Sequence, residues 1–483
     1  MKFTRQLIIT FALLASAFCA HAFSLNGEKK ETIGPDLDWQ VPRIGYPDGL
    51  IGGPMFLGEG YRLNVPVVTY AYDQSFINYF GTNGMIALDR AIAILNDLPE
   101  VSTITNDGVN LYIRGQKVPK QTKFVNFEAQ ALQLIDIKQT ALFHLMEEMG
   151  LAASENWVWA LRSRIEAPGP ITNYTVVKLN YDPITRTPSS YVNDTLYSYE
   201  ILDSPNIADA FEFIVDPLGF GFNTVSSSGF FSFPGEFYTG LTHDDVGGLK
   251  YLYDTNNIVV ETVLPTVTGG APQAPGGGGG GSSTNISPWL PFFAITNVFG
   301  GTNVIGDTNV FTTNTLVGAA PRPGVNKVRF QRVAFDSIIG STFVPITNLY
   351  TDVFFTNGRP MLQPVQRAIS VPDFVFAVED LGVLTPSGLP LISARTVAFV
   401  NNDPINGSSL LGGPGIIAPP IQITFTDLFP AFLNSNPFLD ELGAINVGVW
   451  GSFDGSTNAP VVYPAGQNWS LDALRSLILG PAP

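Results

Sequence analysis

Two short stretches hold side chains whose types and spacing could do chemistry. The first is Asp136-Ile-Lys-Gln-Thr-Ala-Leu-Phe143-His144-Leu-Met-Glu147-Glu148-Met-Gly150-Leu151. On a helix, His144 and Glu148 lie four residues apart, so an imidazole and a carboxylate there can reach one metal ion. The second is Thr242-His243-Asp244-Asp245. Zinc that keeps a catalytic water needs three protein ligands, and His243 is the only histidine besides His144 beyond residue 22. At the start of a helix, His243 is expected to face solvent. Thr242 is a good N-cap with Asp245 in the capping-box position, and Asp244 and Asp245 put negative charge on the positive end of the helix dipole. Other templates fail. The adjacent carboxyls of Glu147-Glu148 and Asp244-Asp245 point in different directions along a helix, unlike a glycosidase pair. No Gly-x-Ser-x-Gly elbow and no Gly-Lys-Ser/Thr phosphate loop occurs.

On these residues the chain resembles the zinc proteases of the metzincin class, most closely their matrixin-like branch. In that family an active-site helix starts at an Asp, runs through a Val/Ala/Leu-rich turn into H-E-x-x-H, and turns out at Gly-Leu. Asp136, Ala141-Leu142 and Gly150-Leu151 match those flanks. In this register the first ligand position falls on Phe143, the base on His144, the second ligand on Glu147 and the third on Ala153. Leu241-Thr-His-Asp-Asp-Val-Gly-Gly-Leu-Lys-Tyr-Leu-Tyr253 is similar to the matrixin closing helix, L-S-x-D-D-x-x-G-I-x-x-L-Y. The resemblance covers residues 65–257 and implies a metzincin-like scaffold with a degenerate site. No catalytic residue and no cofactor are expected, and His144, Glu148 and His243 are the weak metal candidates. No methionine occurs between Met149 and Met361 to form the family's Met-turn.

The supporting elements follow from local pattern. Val67–Tyr72 is a β-branched and aromatic strand, and Met85, Leu88, Ile92 and Leu95 recur at helical spacing across 84–98. Gly108–Ile113 reads as a further strand. An insert at about 155–240 is rich in aromatics, among them Trp157, Trp159, Tyr174, Tyr181, Tyr191, Tyr197 and Tyr199. These either form a ligand platform or pack the insert's own sheet, and the second reading is preferred.

Lys2 and Arg5 precede an apolar run, Leu7 to Phe18, too short to span a bilayer, and Ala20-His21-Ala22 is a small-x-small cleavage signal. Residues 1–22 are therefore expected to be a signal peptide, with the mature chain starting at Phe23. The lone Cys19 would leave with it, so no disulfide or thiolate chemistry remains. The composition, 45% hydrophobic and 14% charged, is that of a folded protein, and the net charge of −16 argues against nucleic acid and anionic membranes as partners.

Thr266 to Thr284 is Gly/Pro/Ser-rich, with an unbroken glycine run at 276–281, and reads as a linker over 263–287. Runs within 325–335, 374–378, 396–400, 421–425 and 447–450 then read as strands separated by Gly, Pro and Asn turns, favouring a β-sandwich. Thr-Asn-Val at 296, 302 and 308 is too few copies for a solenoid. The expected fold is an α+β metzincin-like domain, residues 23–262, followed by an all-β, sandwich-like domain, residues 288–483. The expected function is that of a secreted, catalytically inactive protein with a binding or structural role at or outside the cell envelope. Its partner would be an extracellular protein or polysaccharide. The alternatives are a metalloendopeptidase with a non-standard zinc site and a carbohydrate-binding protein acting through the β domain.

Overall fold

The computed structural model describes residues 22–26, 61–166, 172–203, 208–216, 223–228, 233–269, 316–379, 393–401, 415–427 and 449–464, with Leu57, Leu218, Leu471, Asp472 and Arg475. The segment before Ala22, the glycine run and the Thr-Asn-Val repeats lie outside these residues. Among the described residues, four α-helices accompany twenty-eight short strands. The helices are α1 (Gln74–Asp97), α2 (Phe127–Ala131), α3 (Ile137–Glu148) and α4 (His243–Tyr253).

The strands that organise the molecule are β1 (Val67–Tyr72), β2 (Arg329–Arg332), β3 (Ile346–Thr356), β4 (Arg359–Ile369), β5 (Phe374–Glu379), β6 (Ser393–Asn401) and β7 (Gly415–Thr426). Five of them form a mixed sheet in the order β2-β1-β5-β7-β6. The first four run parallel, with Arg329 opposite Val67, Tyr70 opposite Phe374 and Phe374 opposite Ile421, while β6 pairs antiparallel at the far edge. A strand buried on both faces needs no polar alternation. Val68 to Tyr72 and Phe374 to Ala377 accordingly form continuous buried runs.

This architecture corrects the expected one. The protein is predominantly β, built from many small sheets, and is not an α+β metzincin-like domain followed by an all-β, sandwich-like one. β1, assigned from sequence to the first unit, lies between β2 and β5, both drawn from beyond the glycine-rich segment. Leu134–Asp136 likewise pairs in parallel with Val449–Ser452. Val259–Thr262 pairs with Ala319–Arg322. Periodicity identified these runs as strands, but a strand's own pattern does not say which distant strand it joins.

α1 packs on the sheet. The Asp73 carboxylate accepts from Ser75 N at 2.8 Å, which starts the helix ten residues earlier than the 84–98 expectation. Gly81, at φ 60°, kinks it, and that glycine hid the first part of the helix in the sequence. A Cβ at Gly84 would lie 2.2 Å from Phe80 Cβ, so a glycine is required there. Phe76 and Phe80 enter an aromatic core with Phe376, Phe425, Trp450 and Tyr463. Ring centroids lie 5.5 Å apart for Phe80–Phe425, 5.2 Å for Phe425–Trp450 and 4.9 Å for Phe80–Tyr463.

Beside the sheet runs a chain of buried arginines. Arg62 Nε donates to Glu261 Oε1 at 2.6 Å, and its Nη2 donates to Arg322 O at 3.2 Å. Arg322 Nε forks onto Asp352 at 3.0 and 3.2 Å, and its Nη1 donates to Glu261 O at 2.6 Å. Arg367 pairs with Asp373, whose Oδ2 also accepts from Thr69 N at 2.8 Å and Thr69 Oγ1 at 3.0 Å. All six side chains in these pairs are buried or nearly so.

The aromatic insert forms two ribbons, Ala160–Glu166 with Thr172–Val177 and Thr195–Asp203 with Ala208–Ile214. Trp159, Tyr174 and Tyr199 pack with Leu161 and Ala210 between them, and Trp159 and Tyr199 lie 4.7 Å apart. Tyr181 packs instead on Phe23 at 6.4 Å. No helix among the described residues is long and apolar enough to cross a membrane.

Two outcomes test this topology. Asp373→Ala, which strands a buried guanidinium, should cost about 3–5 kcal/mol in urea unfolding; a loss under about 1 kcal/mol would show that the pair does not form. Fragments 22–262 and 288–483, expressed singly, should show no cooperative thermal transition, because each lacks the partner strands of its own sheet. A sharp transition in either fragment would contradict the shared sheet.

Candidate functional site

α3 begins where expected. The Asp136 side chain accepts from Lys138 N and Gln139 N, both at 3.3 Å, and caps the helix. Its surroundings differ from a cleft, because every side chain from Gln139 to Glu148 is buried. His144 Nδ1 lies 3.3 Å from Glu147 Oε2. The Phe143 ring packs 4.9 Å from the His144 ring. Asn26 Nδ2 donates to Glu147 O at 3.3 Å and Asn26 N to Gly150 O at 2.9 Å, so the chain just after the strand Phe23–Leu25 closes the C-terminal end of α3. Gly150 has φ 110°, and a Cβ there would sit 2.3 Å from Tyr61 O. This explains the glycine on backbone grounds alone. Ala153, at the third ligand position, is buried and precedes the turn Ser154–Asn156.

α4 carries the expected capping box. Asp245 N donates to Thr242 Oγ1 at 3.4 Å, and Thr242 N donates to Asp245 Oδ2 at 2.9 Å. The same carboxylate accepts from Val225 N at 3.0 Å and Ser226 N at 3.1 Å, which anchors the 224–228 turn to the helix. That turn reaches α3, since Gln139 Nε2 donates to Ser228 O at 3.4 Å. Asp244 Oδ2 accepts from Ala22 N at 2.8 Å and Asn193 N at 2.7 Å. His243 is fully buried, not solvent-facing as expected, and its Nδ1 lies 3.0 Å from Asp244 Oδ1.

Phe143 and Ala153 offer no lone pair to a metal. His144, Glu147 and Glu148 lie on α3, and His243 on α4. Among the described residues, no three His, Cys, Asp or Glu side chains are placed to hold one metal ion.

Sequence reasoning missed two carboxyls. Glu155 is buried, and burial pushes its carboxyl up to about 8, with Asp245 adding repulsion. Its Oε1 accepts from Thr224 N at 2.9 Å. No motif marks it, because only the arrival of the 224–228 turn buries it. Asp136 was read solely as a helix start, yet it also lines a groove of about 240 Å³ with Arg90, Lys138, Ser452 and Asp454. Burial raises its carboxyl to about 6, Lys138 opposes the shift, and Asp454 adds to it. The groove mixes two cations with two anions, and Arg90 and Asp454 are paired at 3.4 Å. Compared with family models, with curated proteins and with solved structures, the chain finds no match.

Both raised carboxyls have the same linkage sign. An acid whose pKa is higher folded than unfolded binds more protons in the native state over the window between the two values. Stability therefore falls as pH rises from about 4.5 to about 8 for Glu155. Glu155→Gln should raise the thermal midpoint at pH 8 and leave it nearly unchanged at pH 4.5; an equal shift at both values would remove titration as the cause. Asp245→Ala, which removes the reciprocal half of the capping box and leaves the amides of Thr242, Val225 and Ser226 without their acceptor, should cost about 2 kcal/mol in denaturant titration.

Proposed function

We propose that this protein is an exported, non-catalytic protein with a binding or structural role, requiring no cofactor. The observation that carries this reading is the outward face of the ribbon formed by β3 and β4. There Thr347, Leu349, Thr351, Leu362, Pro364 and Ala368 are exposed and Gln366 is half-buried, and none is charged. A face that exposes Leu349 and Leu362 and carries no charge is suited to contact with another surface. The polar groups of α3 and α4 support the same reading from the other side. Asp244 and Asp245 are buried and accept backbone amides of other chain segments, which they hold together, whereas a reacting group needs access to substrate. The apolar run Leu7 to Phe18 behind Lys2 and Arg5 supports export, although Ala22, which cleavage before Phe23 would remove, is buried with its amide on Asp244. Carbohydrate binding through stacked rings gains no support, since Trp159, Tyr174 and Tyr199 pack against each other's ribbons.

Hydrolysis of fluorescent casein and of mixed peptides, with and without added zinc, tests the proposal. The rate should equal the buffer blank and stay there in Glu148→Gln. Chelator-sensitive hydrolysis that disappears in Glu148→Gln would overturn it.

A further inference from the structure

We propose that the groove floored by Asp136 binds a small zwitterion, an α-amino acid with an apolar side chain. The site shares no residue with the ribbon face and goes beyond the reading above. Three distant parts of the chain build it. α1 supplies Ile86 and Arg90, the start of α3 supplies Asp136 and Lys138, and the hairpin of Val449–Ser452 with Val461–Val462 supplies Phe453 and Asp454.

The frame is set before any ligand arrives. Asp136 lies opposite Gly451 in the parallel ladder of Leu134–Asp136 with Val449–Ser452, and its carboxylate also caps α3. Asn126 Nδ2 donates to Gly455 O at 3.0 Å and to Asn458 O at 2.8 Å, which pins the tip of the hairpin. Asn458 Nδ2 in turn donates to Asp454 Oδ1 at 2.8 Å and steadies that carboxylate at the rim. Side chains fixed in this way lose little freedom when a ligand binds.

Charge and size select the ligand. Asp136 is 1% exposed and forms the floor of the groove. Its oxygens accept one backbone amide each, both at 3.3 Å, where a carboxylate takes roughly four donors. Burial raises this carboxyl to about 6, so a ligand ammonium there stabilises an anion that water no longer solvates. Lys138 and Arg90 line the same space, and Lys138 Nζ rests 5.5 Å from the centre of the Phe237 ring. The Arg90–Asp454 pair at 3.4 Å is largely exposed and worth little by itself, which leaves each partner available to a ligand group of opposite charge. A ligand with charge of one sign would desolvate the groups of like sign and give them nothing in return. A zwitterion answers both, with its ammonium toward Asp136 and Asp454 and its carboxylate toward Arg90 and Lys138. Ile86, Ala87, Phe453 and Val461 add apolar wall for a hydrocarbon side chain. The volume of about 240 Å³ lies below the ~300–1,000 Å³ of sites for drug-sized ligands, which fits one amino acid and not a peptide or a sugar chain.

Isothermal titration calorimetry of the full chain with L-valine, L-leucine, L-isoleucine and L-methionine, each to about 10 mM, tests the proposal. At least one should give saturable binding at a single site. The decarboxylated and deaminated analogues of the tightest binder, 3-methylbutylamine and 4-methylpentanoate in the case of leucine, should bind at least about tenfold more weakly. Arg90→Gln, at an exposed position, and Asp136→Asn, whose amide oxygen still caps α3, should each weaken binding by at least about tenfold while keeping one cooperative thermal transition. No saturable heat from any of the four amino acids would overturn the proposal. So would singly charged analogues that bind as tightly as the parent, or an Asp136→Asn variant that folds and binds like the wild type. If Asp136→Asn does not fold, Arg90→Gln decides alone. A failure here leaves the non-catalytic reading untouched, since hydrolysis decides that one.

Discussion

A chain of three buried arginine–carboxylate pairs holds the molecule together where its strands come from distant parts of the sequence. Arg62 spans from Glu261 to the carbonyl of Arg322, Arg322 from Asp352 to the carbonyl of Glu261, and Arg367 from Asp373 to the carbonyl of Val67. Each guanidinium is out of water and each carboxylate answers it, often with further donors such as Asn64 Nδ2 on Glu261 Oε2 at 2.7 Å. Buried pairs of this kind contribute little net stability compared with apolar residues of equal volume, because desolvation offsets most of the attraction. Their consequence is specificity. Any register that displaces Asp373 from Thr69 and Arg367 leaves a buried charge unpaired, so β1 and β5 are fixed against each other.

The same logic governs the polar groups near α3 and α4. Asp245 gathers the amides of Thr242, Val225 and Ser226, and Asp244 gathers those of Ala22 and Asn193. Two adjacent carboxylates at one helix start thus collect chain segments from the N-terminal strand, from the insert and from the turn beside α3. A carboxylate accepting several backbone donors is well suited to this task, since those donors would otherwise be buried without partners. His144, Glu147 and Glu148, whose spacing suggested chemistry, are buried along α3. Their helix is enclosed on all sides, with Phe143 against His144 and Asn26 closing its end.

The uncharged ribbon completes this distribution. Inside it, Asp352 and Arg367 belong to the arginine chain; outside it, the strand alternation leaves only neutral side chains. One ladder therefore supplies both buried ion pairs and an uncharged stretch of surface. Period-two alternation makes the two properties inseparable, because a register slip by one residue would exchange them.

Much of this protein is local, and the sequence by itself determined it. The Asp136 cap and α3, the Thr242/Asp245 capping box and α4, and the strands at Val67–Tyr72, Phe374–Glu379 and Ile421–Phe425 follow from capping chemistry and apolar periodicity, which act over a few residues. The resemblance of 136–151 and 241–253 to a protease scaffold rested on the same short-range signals, and those signals do not specify a fold. Only the tertiary structure decided that β1 lies between strands from beyond residue 320, since that pairing depends on Arg367 meeting Asp373 and on rings at 76, 80, 425 and 450 meeting across hundreds of residues. Burial was equally invisible in the sequence. His243 at a helix start reads as exposed, and Glu155 reads as an ordinary surface acid, until the fold buries the first and the turn at 224–228 reaches the second. Solvent access and the pKa it sets belong to the assembled neighbourhood, and no residue carries them alone.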